Sequence, residues 1–235
     1  MSRNERKPIV LLDVDDTLLD FHKAEAIALS RTLRELGIEP KDETLRRYSQ
    51  INQSQWELLE EGKITRRQVL VRRFEILFAE LSVIESGDKA QAMYENYLSI
   101  GHHFMPGAEE LLEALKGKYE LYIVSNGTGV VQDGRIKSAG IAPYFEDIFI
   151  SERVGYNKPA KEFFDLCFER IGEFELDRSI IVGDSLTSDI RGGINAGIKT
   201  CWFNPHGNPG REDIPADYEI KALSELPALL ERLFA

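Results

Sequence analysis

Four short stretches of the chain carry residues able to do chemistry, and each lies at or beyond the end of an apolar run. Pro8-Ile9-Val10-Leu11-Leu12 runs into Asp13, Asp15, Asp16 and Thr17, and Glu120-Leu121-Tyr122-Ile123-Val124 runs into Ser125, Asn126 and Gly127. Past Asp147-Ile148-Phe149-Ile150 a loop holds Lys158, while Ser179-Ile180-Ile181-Val182 runs into Gly183, Asp184 and Ser185, with Asp189 close behind. Taken singly, Asp, Ser, Asn and Gly at strand ends are ordinary turn and N-cap residues, and a lone lysine is ordinarily solvated. Asp16 and Asp20 fit that plain reading. Taken together, the aspartates at one rim repel one another unless a cation binds. Hard oxygen ligands without His or Cys favour Mg²⁺, for which Mn²⁺ or a similar divalent ion can substitute.

Charge accounting then suggests a reaction. A carboxylate held beside Mg²⁺ can attack phosphorus and form an aspartyl-phosphate, with the metal offsetting repulsion between the nucleophile and the phosphoryl oxygens. A second carboxylate two residues along can protonate the leaving oxygen and later deprotonate the water that cleaves the intermediate. Ser125, Asn126, nearby backbone N–H groups and the Lys158 ammonium are placed to hold the equatorial oxygens, where positioning and electrostatics supply most of the catalysis.

These residues need a scaffold that brings strand ends together. The apolar runs are too short for helices and, with Thr200-Cys201-Trp202-Phe203, alternate with helix-period segments such as Ala108 to Lys116 and Lys161 to Ile171. That alternation predicts a Rossmann-like parallel α/β sheet, whose ligands bind beyond the carboxyl ends of the strands. The region from Lys23 to His102 departs from the rhythm. It reads as successive helices over Ala24 to Leu36, Asp42 to Glu60, Thr65 to Leu81 and Asp88 to Ser99, punctuated by Gly37, Gly62 and Gly87 as stop signals. Thr65 followed by Gln68 predicts a capping box. The expected organisation is an α/β core over 1–20 and 103–235 with an all-helical cap inserted at 21–102.

Composition narrows the partners. With 235 residues, 43% hydrophobic and 29% charged, the chain suits one soluble domain with a smaller insertion. A net charge of −11 disfavours nonspecific binding to a nucleic acid polymer or an anionic membrane. No apolar stretch approaches bilayer length, and the basic segment Met1 to Pro8 runs into a strand interrupted by Asp13 rather than into a leader core, so a cytoplasmic location is expected. Cys167 and Cys201 stand in apolar surroundings and read as buried free thiols. A monomer or weak dimer is expected.

Asp13-x-Asp15-x-Thr17, Ser125-Asn126, Lys158-Pro159 and Gly183-Asp184 with Asp189 resemble, in order and spacing, the four motifs of the haloacid dehalogenase (HAD) superfamily, including a helical cap after the first. The resemblance implies Asp13 as nucleophile and Asp15 as general acid/base. It implies Asp13, the backbone carbonyl of Asp15 and Asp184 as Mg²⁺ ligands, Ser125 and Lys158 as phosphate-binding residues, and Thr17 and Asp189 as supporting groups, with Asp189 orienting Lys158 or a metal-bound water. No further cofactor is implied. A narrower likeness is to bacterial pyrimidine 5′-nucleotidases of this superfamily, through Asn52-x-x-x-Trp56, Gly62-x-Ile64-Thr65, Ser151-Glu152-x-Val154-Gly155 and Ser188-Asp189-Ile190 through Gly197. It implies a nucleoside monophosphate as substrate, although Trp56 reads equally as a core residue. The third motif often reads Lys-Pro-x-Pro; Lys161 stands at the second proline and should alter helix entry.

Other classes fit less well. By family resemblance a dehalogenase lacks the carboxylate at Asp15. A phosphomutase shares the intermediate and differs in the acceptor; a phosphatase of phosphoglycolate or a sugar phosphate differs only in substrate. A phospho-receiver domain is compact and carries its aspartate on a later strand. A P-loop is excluded because Glu61-Gly62-Lys63-Ile64-Thr65 lacks the upstream glycine and the Gly-Lys-Ser/Thr order. His102-His103 is expected at the return from the cap rather than in catalysis.

Overall fold

The short apolar runs form strands, the central ones buried on both faces, where period-2 alternation is not needed in a sheet covered by helices. A computed structural model describes residues 6–173 and 175–235. Most of the Met1 to Pro8 segment discussed above, residues 1–5, lies outside the described residues. In chain order the elements are β1 (Ile9–Leu12), α1 (Phe21–Glu35), α2 (Asp42–Glu60), α3 (Arg66–Leu81), α4 (Gly87–Leu98), α5 (Ala108–Leu115), β2 (Glu120–Ser125), α6 (Gly129–Ala139), β3 (Asp147–Ile150), α7 (Ser151–Val154), α8 (Lys161–Ile171), β4 (Ser179–Gly183), α9 (Arg191–Ala196), β5 (Lys199–Phe203), β6 (Tyr218–Ile220) and α10 (Leu226–Phe234).

The sheet has six strands in the order β3-β2-β1-β4-β5-β6, all paired in parallel, which is the expected Rossmann-like α/β architecture. Leu12 stands opposite Ile123 of β2 and Val182 of β4, so the ends of these three strands are level. Neighbouring β1 and β4 lead on toward opposite edges of the sheet. Their shared carboxyl end is therefore the switch point where open α/β sheets bind ligands. Phe163, Phe164 and Cys167 of α8 pack with Leu11, Val124 and Ile181 on one face of the sheet. Helix α9 can lie close to it because Gly193 has no side chain: a Cβ there would fall 2.5 Å from Ile181 Cγ2 and 2.6 Å from Thr200 Cγ2. Both cysteines are buried free thiols, as expected.

The chain divides into two compact units. The sheet unit holds the residues up to Asp20, Phe104–Gly129 and Ala139–Ala235; the helical unit holds Phe21–His103 and Val130–Ser138. The expected division put 130–138 with the sheet. Its place in the helical unit follows from Val131, which packs in that unit's apolar core, and from Arg135, whose Nε donates to the Gly101 carbonyl at 3.1 Å.

Within the helical unit, Tyr48, Phe74, Phe78 and Tyr94 form the aromatic part of the core. The Thr65 capping box is present: Thr65 accepts from Gln68 N, and the Gln68 side chain accepts from Thr65 N at 2.8 Å. Gly37 and Gly62 take positive φ as stop signals should. Gly87 does not. It opens α4, and it is small because a Cβ would meet Val71 Cγ1 and the Val71 carbonyl at 3.0 Å; the left-handed residue after α3 is Ser82. Trp56 lies half-buried beneath the Arg66 guanidinium, 5.5 Å from the ring centre, and is not part of the core cluster. No helix among the described residues is long and apolar enough to cross a membrane.

Candidate active site

The carboxyl ends of β1, β2 and β4 and the loop between α7 and α8 deliver the chemistry-bearing residues, all from the sheet unit. Asp13 directly follows β1 and keeps to the ladder, its N–H donating to Val182 O at 3.0 Å. The chain then turns tightly. Leu18 and Leu19 N–H groups both donate to Val14 O, and Asp16 closes the turn by donating to Leu19 O at 2.8 Å. Asp16 takes φ 56°, a left-handed conformation that aspartate tolerates better than most residues. The plain turn reading of Asp16 thus agrees with its geometry.

Lys158 is buried at the centre. Its Nζ donates to Asp13 Oδ1 at 2.8 Å, Asp189 Oδ1 at 2.6 Å and Val124 O at 2.7 Å, three acceptors for the three protons of an ammonium. Asp189 lies in a π-helical turn, Leu186–Ile190, in which the Asp189 and Ile190 N–H groups both donate to Ser185 O. Such wide turns recur at functional sites. Here the turn brings Asp189 Oδ2 to 3.1 Å from Ser185 N, so both carboxylate oxygens are engaged. Gly183 makes this possible, since a Cβ on it would fall 2.2 Å from Asp189 Oδ2.

Asp13, Asp184 and Asp189 bring carboxylate oxygens within 4.8 Å of one another, a grouping able to hold a metal ion. Two of the expected ligands, Asp13 and Asp184, belong to this grouping of carboxylates, and Asp189 joins them; Asp15 was expected to contribute a backbone carbonyl. With its oxygens already given to Lys158 and Ser185, Asp189 is better placed to orient the lysine than to coordinate directly. The electrostatics are those of buried acids short of positive charge. Burial, opposed by Lys158 and reinforced by Asp189 and Asp15, raises the Asp13 carboxyl to about 7. Burial, with Asp13 and Asp189 adding repulsion, pushes Asp184 well above the usual carboxylate range. Burial alone would lower Lys158, but Asp13 and Asp189 overcome it and keep the ammonium protonated.

The remaining expected residues divide. Ser125 is fully buried at the end of β2, and its Oγ accepts from Gly127 N at 3.1 Å. Asn126 was expected to bind phosphate. Its side chain clamps the lysine backbone, accepting from Lys158 N and donating to Lys158 O, each at 2.8 Å, with Ser188 Oγ at 3.2 Å. Thr17 is buried and its Oγ1 accepts from Asp184 N at 3.2 Å. Asp15 is partly exposed and close enough to Asp13 to raise its pKa. Lys161 begins α8, whose N-cap Ala160 makes no side-chain cap bond, and it pairs with Asp165.

One residue was missed. Trp202, in β5, donates its indole N–H to the Asp184 carbonyl at 2.7 Å. The signal was available, because β5 ends on the same rim as β4 and the rule that sites lie beyond strand ends applies to it as well.

The profile of the haloacid dehalogenase-like hydrolases matches residues 10–203, most of the chain. A Bacillus subtilis protein, YfnB, described as a HAD-hydrolase, is 42% identical over 96% of both chains. Its crystal structure, bound to magnesium and described as revealing interdomain movement, superposes with a TM-score of 0.92, covering 96% of this chain and 99% of that one. PynA of Streptococcus pneumoniae, named a pyrimidine 5′-nucleotidase, is 35% identical over 95% of this chain and 94% of its own length. YjjG of Escherichia coli K12, with the same activity in its name, is 34% identical over 94% and 96%.

Proposed function

The chain belongs to the haloacid dehalogenase-like hydrolase family, and on that premise we propose that it is a Mg²⁺-dependent phosphomonoester hydrolase working through an aspartyl-phosphate on Asp13. The observation that carries the reading is the buried cluster in which three carboxylates face a single ammonium. That excess of negative charge, raised on oxygen donors alone, fits a hard divalent cation. Asp13, Asp184 and the backbone carbonyl of Asp15 would hold it. When bound, Mg²⁺ supplies neutralisation of the acids and a Lewis-acid partner for phosphoryl oxygens.

Each protein residue then has a task. An oxygen of the Asp13 carboxylate attacks phosphorus, the new O–P bond forms, and the ester P–O bond breaks with its electron pair on the leaving oxygen. Asp15 donates a proton to that oxygen. Asp15, now a carboxylate, takes a proton from water as the water attacks phosphorus, and the Asp13–phosphorus bond breaks to release phosphate. Lys158 holds Asp13 in position and, with the Ser125 hydroxyl, balances the charge on the equatorial oxygens. Asp189 and Asn126 hold Lys158 by its ammonium and its backbone respectively.

The names of PynA and YjjG and the Asn52-x-x-x-Trp56 segment of the helical unit support pyrimidine (deoxy)nucleoside monophosphates as the substrate class. The test is release of inorganic phosphate from a panel comprising UMP, dUMP, dTMP, purine monophosphates, phosphoglycolate and sugar phosphates, with and without Mg²⁺. Activity should require the ion, fall to background in Asp13→Asn and favour the pyrimidine esters. Metal-independent hydrolysis surviving in Asp13→Asn would sink the mechanism. Preference for sugar phosphates would overturn the nucleotidase assignment alone, and phosphoryl transfer to a sugar hydroxyl without free phosphate would indicate a mutase.

A further inference from the structure

The Asp184 peptide is held from two sides. Its N–H donates to Thr17 Oγ1 at 3.2 Å, and its carbonyl accepts the indole N–H of Trp202 at 2.7 Å. The second bond joins the ends of adjacent strands, for Trp202 lies opposite Gly183 in the β4–β5 register. Trp202 is itself 5% exposed and wedged among Ile190 and Ile214, with Leu186 and Ala216 at the edge of the cluster. An indole N–H is a donor with a fixed direction, and a packed ring cannot swing away from its acceptor.

This matters because Asp184 follows Gly183, a residue with no side chain to fix its backbone by packing. The carboxyl group of Asp184 also lies within 4.8 Å of those of Asp13 and Asp189, a crowding of acids that favours its displacement. Something other than the carboxylate's own contacts must keep it aimed. Thr17 and Trp202 hold the main chain there, and Trp202 sits in an apolar cluster that anchors it.

We propose that Trp202 is a positioning residue that fixes the Asp184 backbone, and through it the carboxylate, so that its indole N–H sets the affinity of the site for a divalent cation. The inference rests on the reading of this cluster as a Mg²⁺ site. Hydrogen-bonding partners behind a metal ligand typically contribute about 10–100-fold to metal affinity. Trp202 acts on a ligand and not on the reacting phosphoryl group, so its loss should weaken Mg²⁺ binding and leave turnover at saturating Mg²⁺ nearly intact.

The experiment is calorimetric titration of chelator-treated full-length protein with MgCl₂, comparing wild type, Trp202→Phe and Ile214→Ala. Trp202→Phe keeps an aromatic ring in the cluster and removes the N–H; Ile214→Ala loosens the cluster and keeps the N–H. The dissociation constant for Mg²⁺ should rise about 10–100-fold in Trp202→Phe. Its kcat at saturating Mg²⁺ should stay within about threefold of wild type, and Ile214→Ala should lose thermal stability while binding Mg²⁺ as the wild type does. A Trp202→Phe constant within twofold of wild type overturns the proposal, as does an equal weakening in Ile214→Ala, which would mean packing alone. Wild type that binds no Mg²⁺ sinks the metal reading and this inference together, whereas wild-type binding with an unaffected Trp202→Phe sinks only the inference.

Should Trp202→Phe not fold, the wild type supplies the answer by ¹H–¹⁵N spectroscopy. The chain has two tryptophans and hence two indole N–H signals. The Trp202 signal, the one that remains in a Trp56→Phe control, should exchange slowly with solvent and shift on adding Mg²⁺, while that of Trp56 should not. A Trp202 signal that exchanges as fast as that of Trp56 and is unmoved by Mg²⁺ overturns the proposal.

Discussion

Replacing Lys158 with methionine should destabilise the metal-free protein far more than loss of one surface charge would. The Lys158 ammonium is 1% exposed and gives its protons to Asp13, Asp189 and Val124 O at 2.6–2.8 Å. Methionine fills similar space and donates nothing, so two buried carboxylates lose their counter-charge and the Val124 carbonyl loses its donor. Removing one partner of a buried ion pair costs about 3–5 kcal/mol. For a unit of this size that corresponds to a melting temperature lower by roughly 6–20 °C. The assay is thermal unfolding in chelator at pH 7.5 and pH 5.5, and again with Mg²⁺. The Lys158 ammonium lowers the Asp13 pKa, so its removal makes Asp13 easier to protonate. Acidification then neutralises the orphaned acid, and the gap to wild type should narrow at pH 5.5. Added Mg²⁺ should recover part of the stability at pH 7.5 but no phosphatase activity. A metal-free variant melting within about 2 °C of wild type at pH 7.5, or one whose gap widens on acidification, would refute the charge accounting.

Three further outcomes are expected. In wild type, Asp13 has its pKa raised from 3.8 to about 7 in the folded state; the folded protein therefore holds more protons than the unfolded chain between those values, and this group's contribution to stability falls as pH rises through that window. Bound Mg²⁺ removes the penalty, so the Mg²⁺-induced rise in melting temperature should grow from pH 5.5 to 7.5; a constant or shrinking rise contradicts it. Gly183→Ala would place a Cβ 2.2 Å from Asp189 Oδ2, displacing the carboxylate that orients Lys158, and kcat should fall about 100-fold or more; activity above half of wild type argues against the crowding. In the helical unit, Arg73→Met should cost about 3–5 kcal/mol in chemical denaturation because it strands Asn52, Gln91 and, through Asn52, buried Glu25. The double variant with Glu25→Gln should lose less than the sum of the single losses, and strict additivity would show that the two charges do not interact.

What could be read from the chain depended on the range of the contacts involved. The strands were legible because an apolar run ending in aspartate or serine is a local signal, and the cap helices because their spacing and their caps, Thr65 with Gln68 above all, are local too. Strand β6 was not, since three residues at a sheet edge carry almost no pattern. Helix α6 was hidden for a different reason: it buries Gln132 and Arg135, so its inward face does not read as apolar. Helix α10 does carry readable spacing, with Leu226, Leu229 and Leu230 buried, but the expectations stop at β5. In the site, residue types at strand ends pointed to Asp13, Lys158 and Asp184. The use made of Asn126 could not be foreseen, because its amide meets the backbone of a residue 32 positions away. Gly87 misled, because a glycine needed for close packing and one needed for a left-handed turn are the same letter.

The two units place their polar groups to different ends. In the sheet unit the buried acids are costly: burial raises Asp13 and Asp184 above the usual carboxylate range, and hydrogen bonds from Lys158 to Asp13 and from Trp202 to the Asp184 carbonyl hold them in place. In the helical unit the buried polar residues form one layer, with Glu25 from α1, Asn52 from α2, Arg73 from α3 and Gln91 from α4 joined in sequence by bonds of 2.7 Å. The Arg73 guanidinium also lies over the Tyr94 ring, 4.9 Å from its centre. Such a layer adds little net stability over an apolar one, but it penalises any packing in which the four helices slide out of register. Half-buried Arg66 and Trp56 stack on each other, the guanidinium 5.5 Å from the ring centre. Substitutions at such outer positions should therefore leave the helix register set by the polar layer unchanged.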